Sequence, residues 1–391
     1  LTTNGSNVYK NFVPAEDSTV IRRLKDAGSI LLGKLNLSEL AMGGTQNPPW
    51  GIPANPWNFD CTPGESSSGS GVALAAHLCA ASMGEDTGGS IRLPASFNNL
   101  VGLKVTPGLI SRAGMSPLVV FQDSAGPMCR TVADTARMLD VLAGYDPADP
   151  YTATAVISGR VSYSKELRAR SLRGTRIGVV RELFGNNADA ECCKVNTVIE
   201  SALLSMEHAG AHIIDIQIPQ LAHYVELSSM YVTHSRHDID HFLQARPQLP
   251  LRTLREIINA QKYHPKCDLL EALVDGPGDP YSAADYYTRY MAREEFQRVV
   301  INEMAKSGAE ALAFPTAQVP PPSRKELDAG AWPLLEFPTN TLLAAQTWMP
   351  ALSLPAGLTP DGLPVGLESV SYTHLRAHET DSYLVCRLLL E

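Results

Sequence analysis

Two turns rich in serine and glycine hold the residues of this sequence that are best suited to chemistry. Residues 63–71 read PGESSSGSG, and residues 86–92 read DTGGSIR. The two glycines of the second turn permit positive φ and let a substrate carbonyl approach the main chain. Successive N–H groups from Thr87 to Ser90 could then converge on an oxyanion beside a serine hydroxyl. The second turn therefore indicates an acyl-transfer site.

Either turn alone is a weak signal, because a Gly/Ser loop before a helix is usually a turn with an N-cap. The pair is more specific, since one Ala-rich stretch at 69–82 separates the turns. That stretch is apolar all round, which predicts a buried helix that contains a buried His77. A Ser-His-Asp hydrolase is a rival, but Arg92 stands where the G-x-S-x-G elbow needs its second glycine.

Strand and helix patterns alternate along the rest of the chain. We expect helices between Ser18 and Gly28, at 131–143, at 189–209 and through most of 226–306, and strands at 29–32, 81–84, 176–180, 212–218, 310–314 and 351–355. This order predicts one α/β domain with a mixed β-sheet core flanked by α-helices on both faces. The polar helical region at 226–306 is expected to shape a substrate pocket.

Composition excludes several classes of function. The 391 residues include 32 Lys and Arg against 41 Asp and Glu, a net charge of −9, so no broad positive field exists for nucleic acid or an anionic membrane. Seven unpatterned cysteines without a CxxC pair indicate reduced thiols, a cytoplasmic protein and no structural zinc. Nucleotide-binding glycine motifs are absent, and we expect no cofactor. A homodimer is left open.

The motifs resemble those of the amidase signature family of Ser-cisSer-Lys hydrolases. The family's PGGSSGGS turn matches residues 63–71, its Ala/Gly-rich helix matches 72–83, and its GTDTGGSIRxPA turn matches 84–95. The family's VGLKPT matches VGLKVTP at 101–107, and its GKTNxxEFAMG matches GKLNLSELAMG at 33–43. The resemblance spans nearly the whole chain and implies the amidase signature fold.

By that resemblance, Ser90 is the nucleophile, and Ser66, 24 positions earlier, is the serine that carries a cis peptide bond and relays a proton. The residues implied to bind the oxyanion or the substrate are Thr87, Gly88, Gly89 and Gly43. The residues implied to support the turn are Asp86 and Arg92. The implied reaction hydrolyses a small-molecule carboxylic acid amide through an acyl-enzyme on Ser90 and releases ammonia or an amine, with no metal.

The family's third catalytic residue is a buried neutral lysine, in a segment shortly before an LxTTxGS stretch. Residues 1–6 (LTTNGS) match that stretch, so the resemblance places the lysine upstream of Leu1 and predicts a truncated N-terminus. Burial lowers a lysine pKa and makes such a base possible. Lys34 and Lys104 are the alternatives within the chain. Without the base we expect little or no hydrolysis, and rapid turnover of an amide would contradict this expectation.

Glu65 and Ser68 stand where the family has glycines. Glu65 would either alter the charge of the pocket or face solvent, and we expect solvent because an unpaired carboxylate is rarely buried. Ser68 puts the detailed shape of the loop in question. Residues 371–391 resemble a translated sequencing adapter, so we assign 1–370 to the amidase signature domain and 371–391 to a non-native tail.

Three other functions stay open beside the free-standing amidase. Such sequences also occur as the amidase-like subunit of a tRNA-dependent amidotransferase, which needs partner subunits. A non-catalytic binding module is the second possibility. The third is a metal site, because His237 and His241 are four residues apart on one predicted helix face; the HExxH glutamate is missing, so we expect a polar face instead.

Overall fold

The computed structural model describes residues 1–43, 47–157, 162–167 and 172–372. The strands are β1 (Ala81–Asp86), β2 (Val101–Lys104), β3 (Ser124–Cys129), β4 (Arg176–Val180), β5 (His212–Ile216), β6 (Ala311–Pro315), β7 (Ala351–Leu358) and β8 (Pro364–Val370). The α-helices are α1 (Thr19–Asp26), α2 (Ser68–Ala75), α3 (Arg92–Phe97), α4 (Val132–Leu142), α5 (Ala153–Ile157), α6 (Tyr163–Glu166), α7 (Ala190–His208), α8 (Leu221–Leu227), α9 (Tyr231–Gln244), α10 (Leu254–Asn259), α11 (Asp268–Asp275), α12 (Tyr286–Ser307), α13 (Arg324–Asp328) and α14 (Leu342–Gln346).

These eight strands form one mixed sheet in the order β1-β3-β2-β7-β8-β6-β4-β5. Neighbouring strands are antiparallel from β1 to β6 in that order. The β6–β4 and β4–β5 pairs are parallel, and α7 provides the crossover that a parallel β4–β5 pair requires. The sheet therefore places β1, which leads into the second serine turn, at one edge.

Different helices cover the two faces of the sheet, as β6 illustrates. Leu312 shares a buried cluster with Phe296 of α12, whereas Ala313 shares another with Ile199 of α7. Successive side chains of a strand point to opposite faces, so α12 and α7 lie on opposite sides. This arrangement confirms the predicted α/β fold with a mixed sheet between helices.

Helix starts follow the capping signals of the sequence. The Thr131 hydroxyl accepts the N–H of Asp134 at 3.1 Å, and the Asp189 carboxylate accepts the N–H groups of Glu191 and Cys192. The predicted helices at 131–143 and 189–209 are confirmed as α4 and α7. None of the helices in the described ranges combines the length and apolar character needed to cross a bilayer.

Two local predictions are wrong. Residues 29–32 form no strand, and Ile30 and Leu32 are 85 % and 72 % exposed, because no described strand pairs with this segment. The Ala-rich helix is shorter than predicted: α2 ends at Ala75, since the chain must turn before β1 begins. His77 lies in that turn, exposed and with a φ of 57°.

The predicted domain boundary at residue 371 falls near the end of the described chain. Ser371 Oγ donates a hydrogen bond to the Glu310 carbonyl at 3.3 Å, and Tyr372 packs against the cluster on the α12 face. Both residues therefore belong to the folded body. Residues 373–391 of the predicted tail lie outside the described residues.

Candidate active site

The two serine turns lie side by side and are tied together through Ser67. The Ser67 hydroxyl donates to the carbonyl of Glu85 and accepts the N–H of the same residue, both at 3.2 Å. The Ser67 N–H also donates to the carbonyl of Ser90 at 3.2 Å. The start of α2 is thus fixed against the end of β1 and against the turn that contains Ser90.

Asp86 and Arg92, at the two ends of the second turn, form a fully buried ion pair. The guanidinium of Arg92 donates to both carboxylate oxygens of Asp86, at 2.9 and 3.1 Å, and also reaches Glu368 of β8. Burial alone would raise the pKa of Asp86, but Arg92 outweighs it and lowers that pKa. The pair joins the two ends of the turn, which is the geometry that the predicted supporting role requires.

The turn presents three free amide groups beside the Ser90 hydroxyl. No described residue accepts a hydrogen bond from the N–H of Gly88, Gly89 or Ser90. The carbonyls of the turn are occupied instead: Gly88 accepts from the Thr341 hydroxyl, and Gly89 accepts from Leu93 N–H at 2.8 Å. Fixed carbonyls and unoccupied N–H groups are what an oxyanion site needs.

Both glycines of the turn lie where a side chain has no room. Gly89 has a φ of +141°, and a Cβ there would come within 2.9 Å of Thr341 Cβ. A Cβ on Gly88 would collide with the hydroxyl of Tyr231, the first residue of α9. The helical region at 226–306 therefore contributes Tyr231 to the wall over the turn.

We expect Gly89→Ala to lower activity by about 10²-fold, because the new Cβ displaces the amide groups that would bind the oxyanion. The same change should cost about 1–3 kcal/mol of stability from backbone strain. Gly330→Ala is the control, since Gly330 also has a positive φ (+78°) but an exposed position with nothing within 4 Å of a Cβ. Activity and urea unfolding of both variants test the expectation, which fails if the two behave alike.

The hydroxyl of Ser90 donates a hydrogen bond to Glu65 Oε2 at 3.2 Å. The expectation that Glu65 faces solvent is wrong: the residue is half-buried, and its carboxylate finds the Ser90 donor. Burial and the nearby charge of Asp86 raise the pKa of Glu65 to about 7, although Ser90 and Arg92 oppose that rise. The one acidic residue in the first turn thus contacts the predicted nucleophile.

Ser66 is buried, but its hydroxyl makes no hydrogen bond with any described residue, Ser90 included. Its carbonyl accepts the N–H of Ser38 at 3.2 Å. All described peptide bonds are trans, so the cis bond expected at Ser66 from the resemblance is absent; trans is the lower-energy form of a non-proline bond. The proton relay through Ser66 stays a prediction.

The two lysines considered as alternative bases lie elsewhere. Lys34 is exposed. Lys104 is buried and its ammonium donates to the carbonyl of Met349 at 3.1 Å and to that of Val105 at 3.4 Å. Burial lowers the pKa of Lys104 to about 7, yet its hydrogen bonds go to backbone oxygens and not to either serine. Glu65 is therefore the described acceptor for Ser90.

Two predicted site residues remain, Thr87 and Gly43, and only Thr87 has described contacts with other side chains near Ser90. The buried Thr87 hydroxyl reaches both Asp123 Oδ1 at 2.6 Å and Glu85 Oε1 at 2.9 Å. Gly43 is buried with a φ of 102°, next to residues 44–46, which lie outside the described residues, and no described hydrogen bond joins it to Ser90.

Sequence reasoning missed Glu85, Asp123 and Tyr231 as neighbours of the site. Burial raises the pKa of both carboxyl groups, that of Asp123 to about 7, so they keep a proton near Thr87 at higher pH than exposed carboxyl groups would. Glu85 and Asp123 meet only because β1 pairs with β3. No spacing in the sequence signals that contact.

Three side chains of α9 form a possible metal-ligand set: His234, His237 and Asp238, with ligand atoms within 4.8 Å of one another. Asp238 already accepts from Val120 N–H at 2.8 Å and contacts the Nδ1 atoms of His234 and His237 at 2.9 and 3.1 Å. These contacts account for the cluster without an ion. The predicted partner of His237, His241, stacks its ring 6.4 Å away instead.

The family model for Amidase matches residues 1–373 of the chain. The chain belongs to the amidase family. Members act on C–N bonds of amides, and the serine turns described above lie inside the matched range. The amidase signature fold and the family resemblance expected from the motifs are therefore confirmed.

Individual relatives agree with this assignment. The A-subunit of the glutamyl-tRNA(Gln) amidotransferase of Myxococcus xanthus is 36 % identical over 378 residues, covering 94 % of this chain and 76 % of that protein. Among solved amidase-family structures, the peptide amidase of Stenotrophomonas maltophilia superposes with a TM-score of 0.82 at 32 % identity, covering 99 % of this chain and 78 % of the other. The amidotransferase A-subunit of Thermotoga maritima gives 0.77 at 27 % identity, with coverage of 99 % and 78 %.

Proposed function

We propose that this amidase-family chain hydrolyses a small-molecule carboxylic acid amide through an acyl-enzyme on Ser90. The observation that carries the proposal is the position of the Ser90 hydroxyl, beside the unoccupied N–H groups of Gly88 and Gly89 and in contact with an acceptor. A hydroxyl nucleophile, a proton acceptor and a backbone oxyanion site are the three groups that acyl transfer requires.

In the proposed reaction, Ser90 Oγ attacks the amide carbon and its proton leaves for a base. The oxyanion that forms is bound by the N–H groups of the turn. Collapse of the tetrahedral intermediate breaks the C–N bond, and the proton goes to the departing nitrogen, which leaves as ammonia or an amine. Water then attacks the acyl ester and restores Ser90. The resemblance implies that Ser66 relays the first proton, although the Ser66 hydroxyl makes no described hydrogen bond to Ser90.

Trapping the acyl-enzyme tests the proposal without requiring turnover. We expect the purified protein, mixed with an activated p-nitrophenyl ester and quenched in acid, to gain the mass of one acyl group. Peptide mapping should place that group on Ser90. An acyl group on any other residue, or none, would contradict the proposal. This readout stays informative even if hydrolysis itself is slow.

A second candidate is favoured by the names of the curated relatives. Several are A-subunits of glutamyl-tRNA(Gln) amidotransferases, and the chain is 32–36 % identical to them. In this second candidate the amide is that of glutamine, and the released ammonia passes to a partner subunit. The solved peptide amidase, at a TM-score of 0.82, favours the free-standing enzyme instead.

Two measurements separate the candidates. Ammonia release from glutamine, together with co-purification of a tRNA-binding partner, is expected for the amidotransferase subunit. Hydrolysis of carboxamides other than glutamine by the chain without a partner is expected for the free-standing amidase. The absence of both activities, together with no acyl group trapped on Ser90, would exclude both candidates.

A further inference from the structure

We propose that Glu65 is a catalytic residue: its carboxylate accepts the proton of the Ser90 hydroxyl and returns it to the leaving group. This inference rests on the proposed acyl-enzyme on Ser90. It adds a residue at a position where the family resemblance has glycine. The starting observation is the hydrogen bond from Ser90 Oγ to Glu65 Oε2 at 3.2 Å.

The Glu65 carboxylate has no structural task among the described residues. It forms no described ion pair, and its side chain has no hydrogen-bond partner there besides Ser90. A half-buried carboxylate held only for stability would normally be paired, because an unpaired buried charge is costly. The charge of Asp86, by contrast, is neutralised by its ion pair with the guanidinium of Arg92. The lone carboxylate is therefore directed at the reacting hydroxyl.

The surroundings of Glu65 suit a proton acceptor that works near neutral pH. Its charged and titratable neighbours are Asp86 from β1, Arg92 from α3 and Tyr231 from α9. Burial and Asp86 together raise the pKa of Glu65 to about 7. Because the acceptor is the ionised form, Ser90 reactivity should rise as pH increases through about 7 and level off above it. A general base is most effective when its pKa lies near the working pH.

Each proton transferred in this reaction has a named donor and a named acceptor. As the bond between Ser90 Oγ and the acyl carbon forms, the hydroxyl proton moves to Glu65 Oε2. As the C–N bond breaks, Glu65 gives that proton to the leaving nitrogen. In the second half of the reaction Glu65 accepts a proton from the attacking water and returns it to Ser90 Oγ. No other reactant is needed besides the amide and water.

Labelling with an alkyl fluorophosphonate tests this role. The reagent forms a Ser90 Oγ–P bond and releases fluoride, and the hydroxyl proton again needs an acceptor. We expect the labelling rate of the unaltered protein, followed by intact mass from pH 5 to 9, to rise through about pH 7. Glu65→Gln keeps the shape of the side chain but accepts no proton. It should label about 10²-fold more slowly at pH 8, and its labelling rate should show no rise through pH 7.

Three further variants make the result decisive. Glu65→Asp should keep the pH step at a reduced rate, since it retains a carboxylate. Glu65→Gly places the family residue at this position and should behave like Glu65→Gln. Glu16→Gln, at a side chain 82 % exposed, should match the unaltered protein. Thermal unfolding of each variant shows that it is folded.

The outcomes separate this inference from the proposed function. Absence of label on Ser90 in the unaltered protein overturns the proposed function, and the inference with it. Label on Ser90 with the same rate and pH profile in Glu65→Gln overturns the role of Glu65 but leaves the acyl-enzyme intact. A faster reaction in Glu65→Gly would likewise overturn it, because Glu65 would then hinder the nucleophile.

Discussion

Replacing Ser90 with alanine is expected to slow the reaction with an activated p-nitrophenyl ester by at least about 10³-fold, whether the acyl group then stays on the protein or is hydrolysed. The reason is that the substitution removes the only atom that forms the covalent bond, and losing one member of a coupled nucleophile and base costs nearly the whole effect. The measurement is the initial rate of p-nitrophenol release. The free energy of unfolding of the variant should fall by only about 1 kcal/mol relative to the unaltered protein, since Ser90 Oγ makes one described hydrogen bond.

Ser201→Ala serves as the matched control, because Ser201 lies exposed on α7 and far along the chain from both serine turns. It should react with the ester at the unaltered rate. If Ser90→Ala keeps more than a tenth of the activity while remaining folded, the nucleophile lies elsewhere. Ser66→Ala in the same assay would then show whether the adjacent turn supplies it.

Replacing Arg92 with methionine is expected to destabilise the protein by about 3–5 kcal/mol. The substitution leaves the carboxylates of Asp86 and Glu368 buried without their shared cation, and an uncompensated buried charge is costly. Both carboxyl groups would then bind protons more readily. Burial raises the pKa of Glu368 to about 7, so this group is ionised in the unaltered protein above that pH. The loss of stability in Arg92→Met should therefore be largest above about pH 7. Urea unfolding at pH 5 and pH 8 measures it.

Arg137→Met is the matched control for that variant. Arg137 pairs with Asp134 on the surface of α4, where the side chains are 70 % and 44 % exposed, so its loss should cost at most about 0.5 kcal/mol. Arg92→Lys keeps the charge but cannot donate to both carboxylate oxygens of Asp86 as a guanidinium does. Its loss of stability should fall between those of Arg92→Met and Arg137→Met. Equal losses for Arg92→Met and Arg137→Met would mean that the buried pair does not hold the turn.

Much of the fold could be predicted because its signals are local. The caps at Thr131 and Asp189 start α4 and α7 where expected, and the apolar stretch predicted at 351–355 is a strand, buried over 351–354. The segment at 29–32 shows the limit of such reasoning. Its apolar residues fit a strand pattern, but a strand exists only where another strand supplies hydrogen bonds, and that partner is not a property of the segment itself.

The sequence alone determined the family and which turn could hold a nucleophile, because a turn's glycines, its serine and its oxyanion amides are consecutive in the chain. The tertiary structure decided what surrounds Ser90. Glu65, Tyr231 and Asp123 come from three separate stretches of the chain. Glu65 reaches the turn because Ser67 ties the first serine turn to Glu85 and Ser90, whereas Tyr231 arrives through packing of α9 and Asp123 through pairing of β1 with β3. Since burial and neighbouring charges set the pKa of a carboxyl group, the electrostatics of this site exist only in the folded chain.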